Sequence, residues 1–481
     1  MNPLADLLLS TARRNPDRPL LRTPAGEIWA HGDLDRRSAA LAHVLVSRGV
    51  QPSDRVVVQL GKSADVVALH VAVVRVGAVY VPLNMAYTDT ELSGLLEDAD
   101  PALVVRDARP AGSFAHASLE DLLQEGSWRP GHFTDVARTD RDPAAMLYTS
   151  GTTGRPKGAI MSQGNLVSST TTLASAWGFT EEDVLLHMLP LYHTHGLFVA
   201  VYCALTSGGS MVLLDEFSPD AVIRELPGCT VMMGVPTHYT RLLARPDFTA
   251  DVTGGVRLFT SGSAPMLTTT HEQFEQRTGQ VILERYGMTE TCMLTSNPLT
   301  GVRKPGTVGL PLPGVDVRLT DGAPGGIEVR GPNVFSGYWR RPELMDTEFT
   351  RDGWFRTGDL GRFDEDGYLE IVGRSKDLVI TGGLNVYPKE VEYVLDSLPG
   401  VLESAVVGLP DADFGESVTA AVIAEPGVEL DPEGLRLLAR EQLAAFKVPK
   451  RIVLLEHLPR NAMGKVEKAR LRDVLPTMIG R

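Results

Sequence analysis

The chain has 481 residues, more than one hydrophobic core usually supports, so two or more domains are expected. Apolar residues make up 43% and charged residues 22% of the chain, the balance of a soluble globular protein. The 60 acidic and 46 basic residues leave a net charge of −14. That charge argues against a general nucleic-acid or membrane-surface binder, which needs a basic face, but a local basic cluster could still hold an anionic ligand.

Cysteine usage and the N-terminus indicate the compartment. Cys203, Cys229 and Cys292 form no close pair and have no metal-ligand spacing, so reduced thiols are expected. The first residues lack the basic flank and long apolar core of a signal peptide. The most apolar stretch, 66–81, is interrupted by a histidine, an arginine and a glycine and is not predicted to span a bilayer. We therefore expect a cytoplasmic protein without membrane contact.

Helices and strands alternate over most of the chain, which is typical of a largely parallel sheet covered by helices on both faces. Apolar spacing and valine-rich runs predict helices over 34–46 and 66–76, and strands over 55–60, 78–83 and 103–105. After residue 310 glycine and proline become dense around short strands, which indicates a β-rich subdomain.

The sequence pattern changes again after the charged stretch Gly373–Asp377, which is a plausible hinge between domains. The last part predicts a compact α+β unit with a helix from 388, strands over 403–407 and 418–424, a helix over 435–443 and a strand over 452–455. We predict an α/β fold class with an N-terminal domain at 1–375 and a small C-terminal domain at 376–481.

The strongest local signal is the loop Tyr148–Gly158, which follows the apolar run 144–147. Three glycines, four serine or threonine hydroxyls and a lysine supply donors for phosphate oxygens, and glycine permits close backbone approach. The loop is not a Walker A motif, because Lys157 is followed by glycine. An ordinary surface turn of the same composition is the alternative.

This loop resembles the signature loop of the adenylate-forming superfamily, which contains acyl-CoA synthetases, luciferases and adenylation domains of peptide synthetases. Four further segments resemble that family's motifs in the same order: Arg285–Glu290, Arg356–Asp359, Gly373–Asp377 and Pro459–Lys465. The resemblance implies a large N-terminal domain, a small mobile C-terminal lid, and the reaction of a carboxylic acid with ATP to an acyl-adenylate.

The resemblance also implies an ATP site. Glu290 would bind the Mg²⁺ that ATP carries, since a hard cation prefers oxygen ligands. Asp359 would accept hydrogen bonds from the ribose hydroxyls, and Tyr286 would stack on adenine. Without that context, Glu290 and Asp359 would be ordinary turn residues. The other implied ATP- and AMP-binding residues are Thr149, Ser150, Gly151, Thr152, Thr153, Gly154, Lys157, Ser261, Gly262, Ser263, Ala264, Gly287, Met288, Thr289 and Arg374.

Lys465 is the implied catalytic residue of adenylate formation. The substrate carboxylate is ionised near pH 7 and needs no general base. The barrier is then mainly charge build-up on phosphoryl oxygens, which a positioned ammonium and Mg²⁺ relieve. A lysine so near a C-terminus is usually a solvated surface charge. Only the surrounding motif indicates a catalytic role for Lys465.

The second half-reaction, attack of the CoA thiol on the adenylate, is implied by the same resemblance. The lid would rotate at Lys376, and Gly382 and Gly383 would line the tunnel for the thiol arm. His193 would flank the acyl pocket and gate the tunnel, whereas His195 is equally consistent with a hydrogen-bonded structural residue. No base for the thiol is evident.

Two arginines, Arg241 and Arg285, favour malonate as the acid, and their stretches resemble those of malonyl-CoA synthetases. An unpaired guanidinium is costly in an apolar pocket, whereas a short dicarboxylate offers it a second carboxylate. Ser261 is a further candidate substrate contact. Alternatively, Arg285 pairs with Glu284 and Arg241 lies on a helix surface. Methylmalonate adds one methyl group, worth about 1–3 kcal/mol of discrimination.

We predict an acid–thiol ligase that converts malonate or methylmalonate, ATP and CoA to the acyl-CoA, AMP and pyrophosphate. The alternatives are a synthetase for another short acid, a stand-alone adenylation enzyme that loads a carrier protein, and a catalytically silent nucleotide binder. CoA and carrier phosphopantetheine present the same thiol arm, so the tunnel does not separate them. The presence of Lys465, Glu290 and Asp359 counts against the silent binder.

Overall fold

The computed structural model describes all residues except 111, 150–155, 321, 323, 382–383, 412–413, 462–463 and 480–481. Across the described residues the strands form four sheets. None of the helices in that part combines the length and apolar character needed to cross a membrane. The three cysteines are buried and form no disulfide.

The strands, in chain order, are β1 (Pro19–Arg22), β2 (Ile28–Ala30), β3 (Arg55–Val58), β4 (Val79–Pro82), β5 (Leu103–Val105), β6 (His116–Ala117), β7 (Pro143–Thr149), β8 (Lys157–Ser162), β9 (Val184–His187), β10 (Ser210–Leu213), β11 (Val231–Gly234), β12 (Leu258–Ser261), β13 (Leu283–Tyr286), β14 (Thr295–Ser296), β15 (Leu310–Pro311), β16 (Asp316–Leu319), β17 (Gly325–Arg330), β18 (Gly337–Tyr338), β19 (Phe355–Phe363), β20 (Leu369–Arg374), β21 (Val379–Thr381), β22 (Leu384–Val386), β23 (Val401–Asp411), β24 (Gly415–Ala424) and β25 (Arg451–Leu454).

The helices are α1 (Pro3–Leu8), α2 (Ser10–Arg14), α3 (His31–Ser47), α4 (Ala64–Val76), α5 (Asp89–Ala99), α6 (Leu119–Gly126), α7 (Gln163–Ala176), α8 (Tyr202–Ser207), α9 (Pro219–Glu225), α10 (Pro236–Leu243), α11 (Ala250–Thr253), α12 (Thr268–Thr278), α13 (Met345–Glu348), α14 (Pro388–Asp396), α15 (Pro432–Gln442) and α16 (Lys468–Ile479). A π-helical segment, His195–Val201, leads into α8, and short 3₁₀ turns lie at Leu226–Gly228, Pro342–Leu344 and Ser375–Asp377.

The largest sheet runs in the order β15-β14-β13-β12-β11-β9-β10-β1-β2. Its inner strands β13, β12, β11, β9, β10 and β1 are parallel to one another, so their carboxyl ends share one edge. A second sheet, β18-β8-β7-β4-β3-β5-β6, has parallel strands from β7 to β6 and ends β7 at Thr149. The phosphate-loop motif therefore begins at the end of a strand, which contains the apolar run 144–147 of the sequence.

Helix α4 is buried along nearly its whole length. Ser63 caps its first turn by accepting from the Val66 N–H, and Gly77 ends it with φ of +76°. A helix that is apolar on all sides must be enclosed by other elements, and α4 belongs to the main core of the N-terminal domain. The interpretation of this stretch as a core helix followed by a strand is confirmed.

Two smaller sheets complete the fold. Strands β16-β17-β19-β20 form an antiparallel sheet, the predicted β-rich subdomain. Beyond it, β22-β21-β24-β23 with β25 beside β24 form the C-terminal sheet, which has apolar clusters of its own with α14, α15 and α16. The predicted fold class, a large N-terminal α/β domain and a small C-terminal α+β domain, is confirmed.

Candidate active site

Four segments that are distant in sequence meet at the carboxyl edge of the largest sheet. Strands β9, β11, β12 and β13 end there at His187, Gly234, Ser261 and Tyr286. The predicted motifs follow these strand ends directly, so sheet topology rather than sequence proximity brings them together. In open α/β sheets ligands bind at this edge.

Glu290 lies just past β13 and is 5% exposed. The Tyr338 hydroxyl donates to its Oε1 at 2.9 Å, and the Thr149 side chain also hydrogen-bonds it. Burial raises the pKa of the Glu290 carboxyl, against the opposing effect of these bonds. The turn before it requires glycine, because a Cβ on Gly287 would lie 2.0 Å from the Cys292 carbonyl oxygen.

Glu290 and Thr149 could hold Mg²⁺ only if phosphate oxygens supplied its other ligands. Within the described residues no group of three or more His, Cys, Asp or Glu side chains could hold a metal ion. Glu290 and Thr149 offer oxygen atoms alone, the ligand type that a hard cation prefers. The arrangement therefore suits an ion whose other ligands arrive with ATP.

Lys157 begins β8 opposite Thr149, the last residue of β7. Its Nζ lies 3.0 Å from Glu348 Oε1 and 5.0 Å from the centre of the Tyr338 ring. The Glu348 carboxylate therefore pairs with the ammonium of Lys157, the residue that the family resemblance assigns to phosphate binding. The predicted contacts Ser150, Gly151, Thr152, Thr153 and Gly154 lie outside the described residues.

Asp359 is a buried residue of β19 and is paired with Arg374 of β20. The Tyr286 hydroxyl donates to Asp359 Oδ2 at 2.6 Å, and the Arg374 Nε lies 3.0 Å from Oδ1. Burial first, then the Asp359 charge, raises the pKa of Tyr286 well above its usual value. The three residues predicted at the adenosine therefore lie together.

Lys465 of the C-terminal domain reaches this same group. Burial, followed by the charge of Arg374, lowers its pKa to about 8, and Asp359 opposes that shift. The adjacent Gly464 has φ of +73°, and a Cβ there would lie 3.3 Å from the Thr237 Oγ1 of α10. Gly464 therefore lies against α10 of the N-terminal domain, and Lys465 is close enough to Arg374 and Asp359 for their charges to affect it.

Arg285 is 4% exposed, and its Nε and Nη2 have no hydrogen-bond partner. No ion pair of Arg285 occurs in the part of the chain that the structure describes, and burial lowers its pKa to about 10. The alternative pairing with Glu284 is not formed. That carboxylate points to the other face of β13, 3.1 Å from His271 Nε2, and accepts from the Gly306 N–H.

Gly262 explains how the guanidinium fits. A Cβ at that position would lie 2.6 Å from the Arg285 Cζ, so the missing side chain leaves the space that the guanidinium fills. Ser261, the residue before it, is fully buried and its Oγ has no hydrogen-bond partner. Ser263, at φ of +70°, and Ala264 continue the loop away from β12.

Two histidines line the same region with unsatisfied nitrogens. Both ring nitrogens of His195 lack a partner, so the hydrogen-bonded structural role that the sequence allowed is not observed. Burial, then the Arg285 charge, lowers the pKa of His195 well below its usual value. His193 packs against Tyr192, its Nε2 has no partner, and burial lowers its pKa to about 4, so it is neutral near pH 7.

The remaining predicted residues lie around this centre. Arg241 is exposed on α10, one turn beyond Thr237. Met288 and Thr289 are partly buried in the turn before Glu290. Lys376 is exposed in the 3₁₀ turn that joins β20 to β21. Gly382 and Gly383 lie outside the described residues.

Sequence reasoning missed Tyr338 and Glu348, which contact Glu290 and Lys157. Tyr338 reaches the site because β18 pairs antiparallel with β8, a long-range contact without a local signal. Glu348 ends α13 and lies 191 residues beyond Lys157. Neither residue could have been found without the tertiary structure.

A buried carboxylate beside the end of β7, the hydrogen-bonded group of Tyr286, Asp359 and Arg374, and a lysine from a second domain together indicate a nucleotide-dependent acid-activating enzyme. Residues 8–339 match the AMP-binding enzyme family, and residues 390–465 match the AMP-binding enzyme C-terminal domain. The chain belongs to the AMP-binding enzyme family, and the predicted membership of the adenylate-forming superfamily is confirmed.

Among its relatives, a mitochondrial malonate–CoA ligase of Mus musculus is 42% identical over 82% of this chain and 77% of its own. A sulfoacetate–CoA ligase of Cupriavidus necator is 34% identical over 97% of both chains. The crystal structure of ATP-bound MatB from Rhodopseudomonas palustris has 47% identity, a TM-score of 0.95, and coverage of 99% of this chain and 100% of its own. The apo form of MatB, at the same identity and coverage, gives 0.84. The arrangement seen here is thus nearer to that of the ATP-bound crystal structure.

Proposed function

We propose that the protein is an ATP-dependent malonate–CoA ligase that acts through a malonyl-adenylate. The buried guanidinium of Arg285 carries the malonate assignment, because two of its nitrogens have no partner among the described residues. A second carboxylate, bound through two parallel N–H bonds, would satisfy that guanidinium. The malonate–CoA ligase among the relatives supports the same acid.

In the first half-reaction a carboxylate oxygen of malonate attacks the α-phosphorus of ATP. A new P–O bond forms and pyrophosphate leaves. The Lys465 ammonium would stabilise the charge on the phosphoryl oxygens, and Asp359 and Tyr286, which are hydrogen-bonded to each other, would hold the adenosine. When bound, Mg²⁺ neutralises phosphate charge, and Glu290 and Thr149 are the residues that would hold it.

The second carboxylate would meet Arg285, with Ser261 and His195 as neighbouring hydrogen-bond partners. Ser261 Oγ and both ring nitrogens of His195 are buried without hydrogen-bond partners. Because buried polar groups are normally hydrogen-bonded, a polar ligand bound here would supply the missing partners. Arg241 is exposed and would act at the entrance to this pocket rather than inside it. His193 would form the wall between the acid and the thiol arm.

In the second half-reaction the sulfur of CoA attacks the carbonyl carbon of the adenylate. A thioester forms, AMP leaves, and the thiol proton passes to solvent. We propose that the C-terminal domain, residues 376–481, turns at Lys376 to withdraw Lys465 before this step, and that Gly382 and Gly383 line the path of the thiol.

A panel of acids tests the assignment by pyrophosphate release with ATP and CoA. We expect malonate to exceed acetate, benzoate and sulfoacetate in kcat/KM, and methylmalonate to follow within about 10–200-fold. Greater activity with acetate or benzoate would contradict a pocket built for a second anion. Greater activity with sulfoacetate would keep Arg285 as the anion contact but replace malonate, an outcome that the sulfoacetate–CoA ligase relative makes worth measuring.

The thiol acceptor needs a separate comparison. CoA and a phosphopantetheinylated carrier protein are supplied in turn with malonate and ATP, and the thioester product is measured. We expect the product with CoA. Product with the carrier protein alone would identify a carrier-loading adenylation enzyme, while no exchange of labelled pyrophosphate into ATP would indicate a silent binder.

A further inference from the structure

Lys465 projects from a narrow hairpin whose two sides are hydrogen-bonded. Arg460 and Val466 face each other in an antiparallel bridge. The Asn461 N–H donates to the Lys465 carbonyl at 2.9 Å, and the Lys465 N–H donates to the Asn461 Oδ1 at 3.0 Å. Leu458 and Val466 anchor the hairpin in an apolar cluster of the C-terminal domain. The base of the hairpin is therefore fixed to the domain core.

Arg460 adds a brace across this hairpin. Its Nη1 donates to the carbonyl oxygen of Gly464 at 2.7 Å, and its Nη2 donates to the Glu403 carboxylate. Glu403 lies on β23 and pairs with Ile423 of β24. A rigid strand is thus connected, through one guanidinium, to the residue that precedes Lys465.

The position of this main chain matters because the reaction depends on geometry. The lysine must meet a phosphoryl oxygen that the N-terminal domain holds, and a displacement of about 1 Å can cost about a hundredfold in rate. Gly464 already comes close to Thr237 of α10, so a shift of the hairpin alters its fit to the N-terminal domain.

We propose that Arg460 is a positioning residue: anchored on Glu403, its guanidinium fixes the main chain from which Lys465 projects. The proposal rests on the proposed role of Lys465 in adenylate formation. It gives Arg460 no contact with ATP or the acid, and it makes the brace important in the first half-reaction alone, when the lysine is in place.

A purely structural role predicts something different. The side chains of Arg460 and Glu403 are 29% and 30% exposed, and an ion pair with that exposure contributes little to folding. Removal of the pair should therefore leave the domain folded. A positioning role instead predicts a loss confined to one half-reaction and to kcat.

The experiment uses the full chain and two assays. One measures malonate-dependent exchange of pyrophosphate into ATP, and the other measures thioester formation from supplied malonyl-adenylate and CoA. The variants are Arg460→Gln, Arg460→Lys, Glu403→Gln, the double variant of Arg460→Gln with Glu403→Gln, and Lys465→Ala. Arg436→Gln is the matched control, because it breaks another ion pair of the same domain, Arg436–Glu433 at 2.9 Å.

We expect Arg460→Gln to lower kcat of exchange about 30- to 100-fold, with KM for ATP and malonate within about threefold and thioester formation within about twofold. Arg460→Lys should recover part of the loss. Glu403→Gln should lower exchange about tenfold, and the double variant should be no worse than Arg460→Gln, since both changes remove one brace. The control should match the unaltered protein.

Two results would overturn the inference. One is an Arg460→Gln protein whose exchange rate matches the control, and the other is equal loss in both assays together with a lower melting temperature. Lys465→Ala separates this failure from that of the proposed function. If Lys465→Ala loses exchange but Arg460→Gln does not, only the brace is wrong, whereas full exchange in Lys465→Ala would remove the role on which the brace rests.

Discussion

The nucleotide side and the acid side of the site differ in how their polar groups are satisfied. On the nucleotide side Glu290 accepts from Tyr338, and Asp359 lies against Arg374. On the acid side Arg285 is buried with two nitrogens unpartnered. One side is held in shape by its own hydrogen bonds, while the other has donors that nothing among the described residues satisfies.

This difference indicates where rate and where selectivity arise. Groups that are fixed before ligand binds need little reorganisation during the reaction, which suits a nucleotide common to every acid. A buried donor without a partner costs free energy in the empty protein and favours the one acid that supplies the partner. Changes on the nucleotide side should therefore affect all acids alike, and changes on the acid side should affect malonate selectively.

The largest expected effect of an acid-side change is that of Arg285→Ala. Loss of a buried charge-assisted partner costs about 2–5 kcal/mol, so kcat/KM for malonate should fall about 30-fold or more. Acetate and propionate, which lack the second carboxylate, should change by less than about threefold. Steady-state pyrophosphate release with the three acids measures the ratio.

Arg241→Ala is the natural comparison, because the sequence assigned both arginines to the acid and the structure leaves Arg241 exposed. We expect a decrease of about two- to fivefold for malonate, since exposed charges contribute little. An Arg241→Ala loss as large as that of Arg285→Ala would place the malonate contact on α10. Equal loss for all acids with Arg285→Ala would remove the distinction between the two sides.

Part of this site was predictable from sequence and part was not. The glycine-rich loop could be identified from its own composition, whereas Glu290 and Lys465 were identified only through the resemblance of the segments Arg285–Glu290 and Pro459–Lys465 to the adenylate-forming superfamily. The separation of Glu284 from Arg285 was also available, since adjacent residues of a strand point to opposite faces. The same alternation argues against the pairing of Glu284 with Arg285, and the structure has Glu284 beside His271 instead.

The rest depends on tertiary contacts that no local pattern encodes. Glu348 meets Lys157 and Tyr338 meets Glu290 only because β18 joins β8 and α13 follows it. The space at Gly262 becomes meaningful only once β13 lies beside β12 and Arg285 fills it. The boundary at residue 375, the hinge and the cytoplasmic location stay predictions.

Gly262→Ala tests the acid side without removing a charge. The new methyl group would lie 2.6 Å from the Arg285 Cζ, so the guanidinium must move. We expect kcat/KM for malonate to fall about tenfold, as for a modest misplacement, with KM for ATP unchanged within about twofold. Because the sequence assigned Gly262 to the nucleotide, a rise in KM for ATP with every acid would support that assignment instead.

The pH dependence of adenylate formation tests whether the titrating group is Lys465, on the nucleotide side, or a group on the acid side. Lys465, with a pKa of about 8, is charged below that value, and the reaction needs the charged form. The kcat/KM for ATP in pyrophosphate exchange should therefore fall to about half near pH 8 and continue to fall above it, with malonate and acetate alike. Lys465→Arg should shift this decline to higher pH if it retains exchange, because a guanidinium stays protonated. A decline seen only with malonate would place its origin on the acid side.

The smallest expected effect is on stability, and it follows from the unpartnered state of Arg285. Methionine has a similar length and no polar hydrogen, so Arg285→Met should remove the cost of the buried donors at the expense of malonate activity. We expect the N-terminal domain to gain about 1–3 kcal/mol, measured as a later unfolding transition in denaturant without ligand. Asp359→Asn, which weakens a satisfied pair, should move the same transition the other way. Because malonate would satisfy Arg285, adding malonate and ATP should narrow the difference between Arg285→Met and the unaltered protein. A destabilised Arg285→Met protein would mean that the guanidinium is already satisfied without its acid.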